Sequence, residues 1–259
     1  SGNQAAAEAK TEDEEKASEG GEDYSYHWKL ATTESSDYYM TQLSQEFLDI
    51  VEEKTGGKVT GEVFASGQLG GLVDALEGLE MGNIDIVMDG VSSLSAVDDI
   101  FNVWCLPFLY DNKEHQYRFW DNHFDEVSDM VAEQSGFRLV SVIDGMNREL
   151  ASTVPVESMA DLKGLKIRVP NIPGYVRIWE CLGAIPMSLS EVYTSIQTGV
   201  VQGQENDIAL TLSLKFYEVA PYCVMTDHVA YEGSFYFNEE EYQSYPDELK
   251  QIIQEAGEE

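Results

Sequence analysis

Basic residues are scarce in this chain. Fifteen Lys and Arg stand against forty-eight Asp and Glu, a formal net charge of −33 over 259 residues. That imbalance argues against nucleic acid or an anionic membrane surface as partner, because both would repel it. A small anionic ligand stays open, provided that a local positive site meets it. Cysteine is also rare: Cys105, Cys181 and Cys223 form no CxxC or CxxH pattern. They read as three small buried apolar residues, with a Cys181–Cys223 disulfide permitted in an oxidising compartment. No apolar run reaches the roughly eighteen residues that a transmembrane helix needs. No signal peptide is evident either, and a start at Ser1 points to processing or trimming.

Catalytic signatures are missing as well. The chain has no GxSxG or SxxK for a serine nucleophile, and no Walker A or GxGxxG for a nucleotide. His27, His115, His123 and His228 are scattered. His115 and His123 share a predicted helix but stand too far apart to ligate together, and Asp121, His123 and Asp125 do not share a helix face. No metal and no cofactor is expected. Acid pairs are so abundant that their number cannot support a two-carboxylate glycosidase.

What is present is an acidic tail ahead of a folded α/β chain. Residues 1–23 hold eight acids and no aromatic, Val, Ile, Leu or Met, so they read as a disordered tether. Beyond them, 43% hydrophobic residues suffice for a core. Strand-like "YHWKLAT", "KVTGEVFA", "IDIVMDG" and "FRLVSVIDG" alternate with helix-like segments at 36–57, 67–83 and 112–136. Then follow "ESMADLKG" as a short helix, "LKIRVP" as a strand, and two helices, "IPGYVRIWECLG" and "SLSEVYTSIQTGV". Returning strands in "FYEVAPYCVMTDHVAYEGSFYFN" and a last helix close the chain. The alternation predicts α/β with mostly parallel sheets.

The five arginines are informative because they are few. Arg118 and Arg177 fall on polar helices and read as surface. Arg138 opens a strand, where an exposed, snorkelling guanidinium is expected. Arg148 in "DGMNREL" and Arg168 in "KIRVP" lie near strand ends, where α/β proteins place ligand contacts. For either one alone, a buried salt bridge is the competing account. "GVVQGQENDIAL" adds Gln202, Gln204, Glu205 and Asn206, with Gly199 and Gly203 relaxing the backbone. Amide groups suit a ligand bearing hydroxyls and a carboxylate. "GQLGG" at 67–71 reads equally as an anion cradle or a tight turn.

The ordered segments "SGQLGG…ALEGLEMGNIDIVM", "LPFLY", "DLKGLKIRVPN", "LGAIPMSLSEVYTSIQTGVVQGQEND" and "KFYEVAPYCVMTDH" resemble the solute-binding proteins of tripartite ATP-independent periplasmic (TRAP) transporters. The resemblance runs from about residue 26 to the C-terminus. It implies a two-lobed periplasmic-binding-protein-like fold with hinge-crossing strands: lobe I at 24–146 plus 231–259, lobe II at 147–230. By the same resemblance Arg168 clamps the ligand carboxylate, Arg148 is a second cationic contact and Asn206 of "QEN" orients the acid. Proline usually follows that asparagine, whereas Asp207 follows here. Such proteins usually continue with another long helix, and "SGN" looks like the start of a processed lipoprotein. The implied partners are a small carboxylate and integral membrane TRAP subunits, with the protein a monomer outside the cytoplasmic membrane. Further pocket candidates are Glu34, Gln68, Asp89, Trp179, Gln204 and Phe235. Two cleft cations and several hydroxyl-binding groups favour a hexuronate such as glucuronate or galacturonate over a C4-dicarboxylate. Readings from other classes are a sugar-acid lyase, with Glu34 or Asp89 as acid/base, and a ligand sensor on the same scaffold.

Overall fold

The computed structural model describes residues 24–189 and 191–259, so the expected acidic tether at 1–23 lies outside the described residues. In chain order the elements are β1 (Tyr26–Ala31), α1 (Tyr39–Lys54), β2 (Val59–Phe64), α2 (Leu72–Glu80), β3 (Ile86–Gly90), α3 (Lys113–Ser135), β4 (Phe137–Leu139), β5 (Ile143–Asp144) and β6 (Arg148–Ser152). They continue with β7 (Lys166–Arg168), α4 (Pro173–Cys181), β8 (Ile185–Met187), α5 (Val192–Gln197), β9 (Gly203–Asp207), α6 (Ile208–Ser213), β10 (Tyr222–Val229), β11 (Glu232–Asn238), α7 (Glu239–Ser244) and α8 (Asp247–Glu258). Short 3-10 segments cover Val91–Ala96, Asp99–Cys105, Met159–Leu162 and Phe216–Glu218.

Two sheets result, in the orders β2-β1-β3-β11-β4 (with β5 on β11) and β10-β6-β9-β7-β8. Both are mixed rather than mostly parallel. β11 runs antiparallel to β3, β4 and β5, and β6 runs antiparallel to β9 and β10. The chain crosses between the sheets twice, from β5 to β6 and from β10 to β11. Strand period assigns the faces of the first sheet. Trp28, Leu30, Ile86, Met88, Phe235 and Phe237 point toward α1 and α8, packing with Met40, Phe47, Leu249 and Ile253. Ala31, Val87 and Tyr236 point the other way, against Leu76, Trp104, Trp120 and Val131. Helix boundaries follow capping chemistry. The Asn112 side chain accepts from His115 N at 2.9 Å to open α3, and Gly136 closes it in the left-handed region at φ 74°.

In the second sheet Leu150 and Ile167 pack on Trp179 of α4, while Ala151 packs with Ile196, Val201 and Ala220 on the opposite face. Several expectations need correction here. "GQLGG" is a turn ahead of α2, not its first turn. "FRLVSVIDG" splits into β4 and β5. Arg138 is not snorkelling: its Nε and Nη2 donate to both Glu239 oxygens (2.5 and 2.9 Å) and its Nη1 to Asp129 at 3.1 Å. Among the cysteines only Cys105 is buried; Cys181 and Cys223 are exposed, and all three are free.

Candidate functional site

The site gathers where the C-terminal ends of β1 and β3 in the first sheet meet β6, β7 and β9 of the second. Register decides which side chains can meet. In the β6–β9 pair, Leu150 lies opposite Glu205 and Arg148 opposite Asp207, so Arg148 and Glu205 share a face as diagonal neighbours. In the parallel β7–β9 pair, Arg168 lies beside Gln204, on the other face.

Arg148 is held by Glu205. Its Nε and Nη2 donate to the two Glu205 oxygens at 2.7 and 2.9 Å, and Nη2 also donates to the Glu205 carbonyl at 3.1 Å. The side chains are 3% and 0% exposed. Tyr175 and Tyr231 stack on the guanidinium, with ring centres 4.6 and 5.6 Å away. His228 Nε2 donates to Glu205 at 3.3 Å. Burial alone would raise the Glu205 pKa, but Arg148 and His228 outweigh it and hold the carboxyl at about 2. Arg148, expected as a second cationic contact, is therefore ion-paired within the chain.

Arg168 is different. It is half-buried, and its Nε donates to the Leu189 carbonyl at 3.2 Å. Among the described residues no carboxylate pairs with it. Burial lowers its pKa; Glu205 opposes the shift and Arg148 reinforces it. A partly desolvated guanidinium with open donors is the fork that binds a carboxylate in bidentate fashion.

Asn206, 6% exposed, turns its Oδ1 to the Asp207 N–H at 3.0 Å. Its amide donors have no partner among the described residues. Asp207, standing where proline was expected, caps α6 by accepting from Leu210 N at 2.9 Å and takes the Tyr38 hydroxyl at 3.0 Å. That second bond joins the two lobes, as does the Ser92–Tyr175 hydroxyl pair at 2.8 Å. From the first sheet comes Asp89, 6% exposed, whose Oδ1 accepts from Gly90 N (2.7 Å) and Ser93 (2.6 Å), with Thr33 on Oδ2 at 3.4 Å. Glu34 lies within electrostatic reach of Asp89 and Asp207. Burial first, then those two acids, push its carboxyl up to about 8 against the pull of Arg148 and Arg168.

The remaining candidates fall elsewhere. Gln68 is exposed, in a turn whose Ser66 N–H donates to the Glu34 carbonyl at 2.6 Å. Gln204 is wholly buried and donates to Thr211 at 3.0 Å, so it serves the β9–α6 contact rather than the cleft. Trp179 (1% exposed) belongs to the second-sheet core. Phe235 (3% exposed) stacks on Phe47 at 4.4 Å in the first-sheet core. Both are expected at the cleft, and both are instead buried in the cores of their sheets. Sequence reasoning missed Tyr38, Tyr175 and His228; no local pattern marks them. A cavity of about 900 Å³ is an apolar groove between Leu106–Phe108 and α4 that is lined by none of Arg148, Arg168, Glu34 and Asn206. The arginine that lines it, the exposed Arg177 of α4, pairs with Glu180 at 3.4 Å.

At the junction of the two sheets Arg168 is the cation that no described carboxylate pairs, and the fold around it is two-lobed α/β. Residues 30–259 match bacterial extracellular solute-binding protein family 7, and the chain belongs to that family of TRAP solute-binding proteins. It is 36% identical over 178 residues to a solute-binding protein of Roseobacter denitrificans, covering 68% of this chain and 54% of that one. The chain thus spans little more than half the length of that relative. A TRAP periplasmic solute-binding protein of Sulfitobacter sp. NAS-14.1 with bound β-D-galacturonate superposes with a TM-score of 0.84 at 28% identity, covering 90% of this chain and 78% of that one. Another, from Sulfurospirillum deleyianum with bound succinate, gives 0.82 at 26%, covering 91% and 77%.

Proposed function

We propose that this protein is an extracytoplasmic binding protein that captures a hexuronate, such as galacturonate or glucuronate, and delivers it to TRAP membrane subunits. Arg168 carries the reading. It is the guanidinium at the lobe junction that no described carboxylate neutralises, so a ligand carboxylate supplies the missing charge. Asn206 adds amide donors beside it, and Glu34 faces the hydroxyl-bearing part of the solute. The galacturonate held by the Sulfitobacter relative has this combination of one carboxylate and several hydroxyls. Residues 24–146 with 231–259 and residues 147–230 act as the two moving bodies, and the protein works as a monomer. A sugar-acid lyase is disfavoured, because Asp89 is already satisfied by Gly90, Ser93 and Thr33, leaving Glu34 without a partner acid.

Thermal shift with D-galacturonate, D-glucuronate and succinate tests the reading. A hexuronate is expected to raise the melting temperature. Arg168→Ala is expected to lose about 2–5 kcal/mol of affinity, at least roughly thirtyfold. No stabilisation by any acid, or stabilisation unchanged in Arg168→Ala, refutes it. Consumption of the bound sugar acid would favour the lyase.

A further inference from the structure

Besides Glu205, which Arg148 pairs, three acids lie at the site, and they are not equivalent. Asp89 accepts three hydrogen bonds from its own lobe, and Asp207 accepts one from its helix and one from Tyr38. Their oxygens are occupied. Glu34 uses only its backbone, its N–H donating to Thr32 Oγ1 at 3.1 Å and its carbonyl accepting from Ser66 N. Its carboxyl has no hydrogen-bond partner among the described residues. The cleft therefore holds two groups whose hydrogen-bonding capacity the described residues leave unused, the Arg168 guanidinium and the Glu34 carboxyl, and no ion pair joins them.

We propose that Glu34 is the specificity-determining residue of the cleft: it reads the part of the solute away from the carboxylate, takes a hydroxyl in either protonation state, and rejects a second carboxylate once it is ionised. The inference rests on the hexuronate reading and deepens it. Several groups face Glu34 from the packed elements: Asp89 on β3, Asp207 at the end of β9, Arg148 on β6, Arg168 on β7, Tyr38 before α1 and Tyr231 before β11. Burial first, and then the two acids, keep Glu34 neutral at pH 7, and it ionises near pH 8. A neutral carboxyl donates to an anionic solute oxygen or accepts from a hydroxyl. An ionised one only accepts, and it repels a like charge.

Calorimetric titration of the full chain with D-galacturonate and with galactarate, its dicarboxylate counterpart, between pH 6.5 and 9 tests this. The ratio of the two dissociation constants is expected to rise in favour of galacturonate by up to about tenfold from pH 7 to 9, the limit that ionisation near pH 8 sets. In Glu34→Gln the ratio should stay level. A level ratio in the unmodified protein overturns the inference, whatever the variant does. So does a rise that persists in Glu34→Gln. If neither acid binds at any pH, the hexuronate reading fails first and takes this one with it.

Discussion

Replacing Arg148 by Met would strand Glu205 at a position with no solvent exposure, where Arg148 now donates two hydrogen bonds to its carboxylate and one to its carbonyl. Only His228 Nε2 would remain. Removing one partner of a buried pair costs about 3–5 kcal/mol, because the other charge stays desolvated and unmatched. In a chain of this length each kcal/mol moves the melting midpoint by roughly 2–4 °C, so Arg148→Met should melt about 6–20 °C lower at pH 7. Arg148→Met combined with Glu205→Met removes the stranded charge and should recover most of that loss. Acidity gives an independent check. The Glu205 pKa is depressed, so in the native protein its stabilisation is complete above the ordinary 4.5 and is lost only as pH falls toward about 2. Without Arg148 that carboxyl takes up a proton at higher pH, and the deficit of the single variant should shrink between pH 7 and 4. Scanning calorimetry of both variants at the two pH values measures this. A single variant within 1 kcal/mol of the native protein, or a double variant no better than the single at pH 7, would refute the account of a buried, mutually dependent pair.

Arg168→Leu should lose solute binding yet melt at or above the native temperature, since it removes a partly buried cation that no carboxylate pairs; circular dichroism melts read this, and a drop of several degrees contradicts it. Glu34 acts on stability with the opposite sign to Glu205. Its folded pKa of about 8 lies above the ordinary 4.5, so holding it costs stability as pH rises from 4.5 to 8, about 5 kcal/mol at most. Glu34→Gln should therefore gain on the native protein across that window, and parallel melting curves would exclude the shift. Gly145→Ala should destabilise the β5–β6 crossing, because the new Cβ would collide with the Tyr231 carbonyl; an unchanged midpoint would show that the crossing has slack.

The outer parts of the fold are legible locally. Trp28, Leu30, Ile86 and Met88 alternate as strands do, and Asn112 and Gly136 bracket α3 with side-chain and backbone caps. β9 is illegible for a definite reason. All five of its residues, Gly203–Asp207, are buried, and none is apolar. Polar burial makes sense only once each group's partner is known. The partner of Glu205 is 57 positions away, and the Tyr38 that binds Asp207 is 169 away. The two arginines looked alike in sequence for the same reason. A strand register that no short window contains puts Arg148 on the face of Glu205 and Arg168 beside Gln204.

If that register decides which arginine stays free, a carboxylate placed at 204 should close the clamp. Gln204→Glu would set an acid beside Arg168, on the face where Gln204 now meets Thr211, while leaving Arg148 and Glu205 paired. Solute affinity should then fall at least about tenfold, because the ligand must displace an internal carboxylate before it reaches the guanidinium. The fold should hold, since the new pair replaces one buried hydrogen bond with a charge-assisted one. Native affinity in a folded Gln204→Glu protein would mean that Arg168 is held free by something other than its neighbours in the sheet.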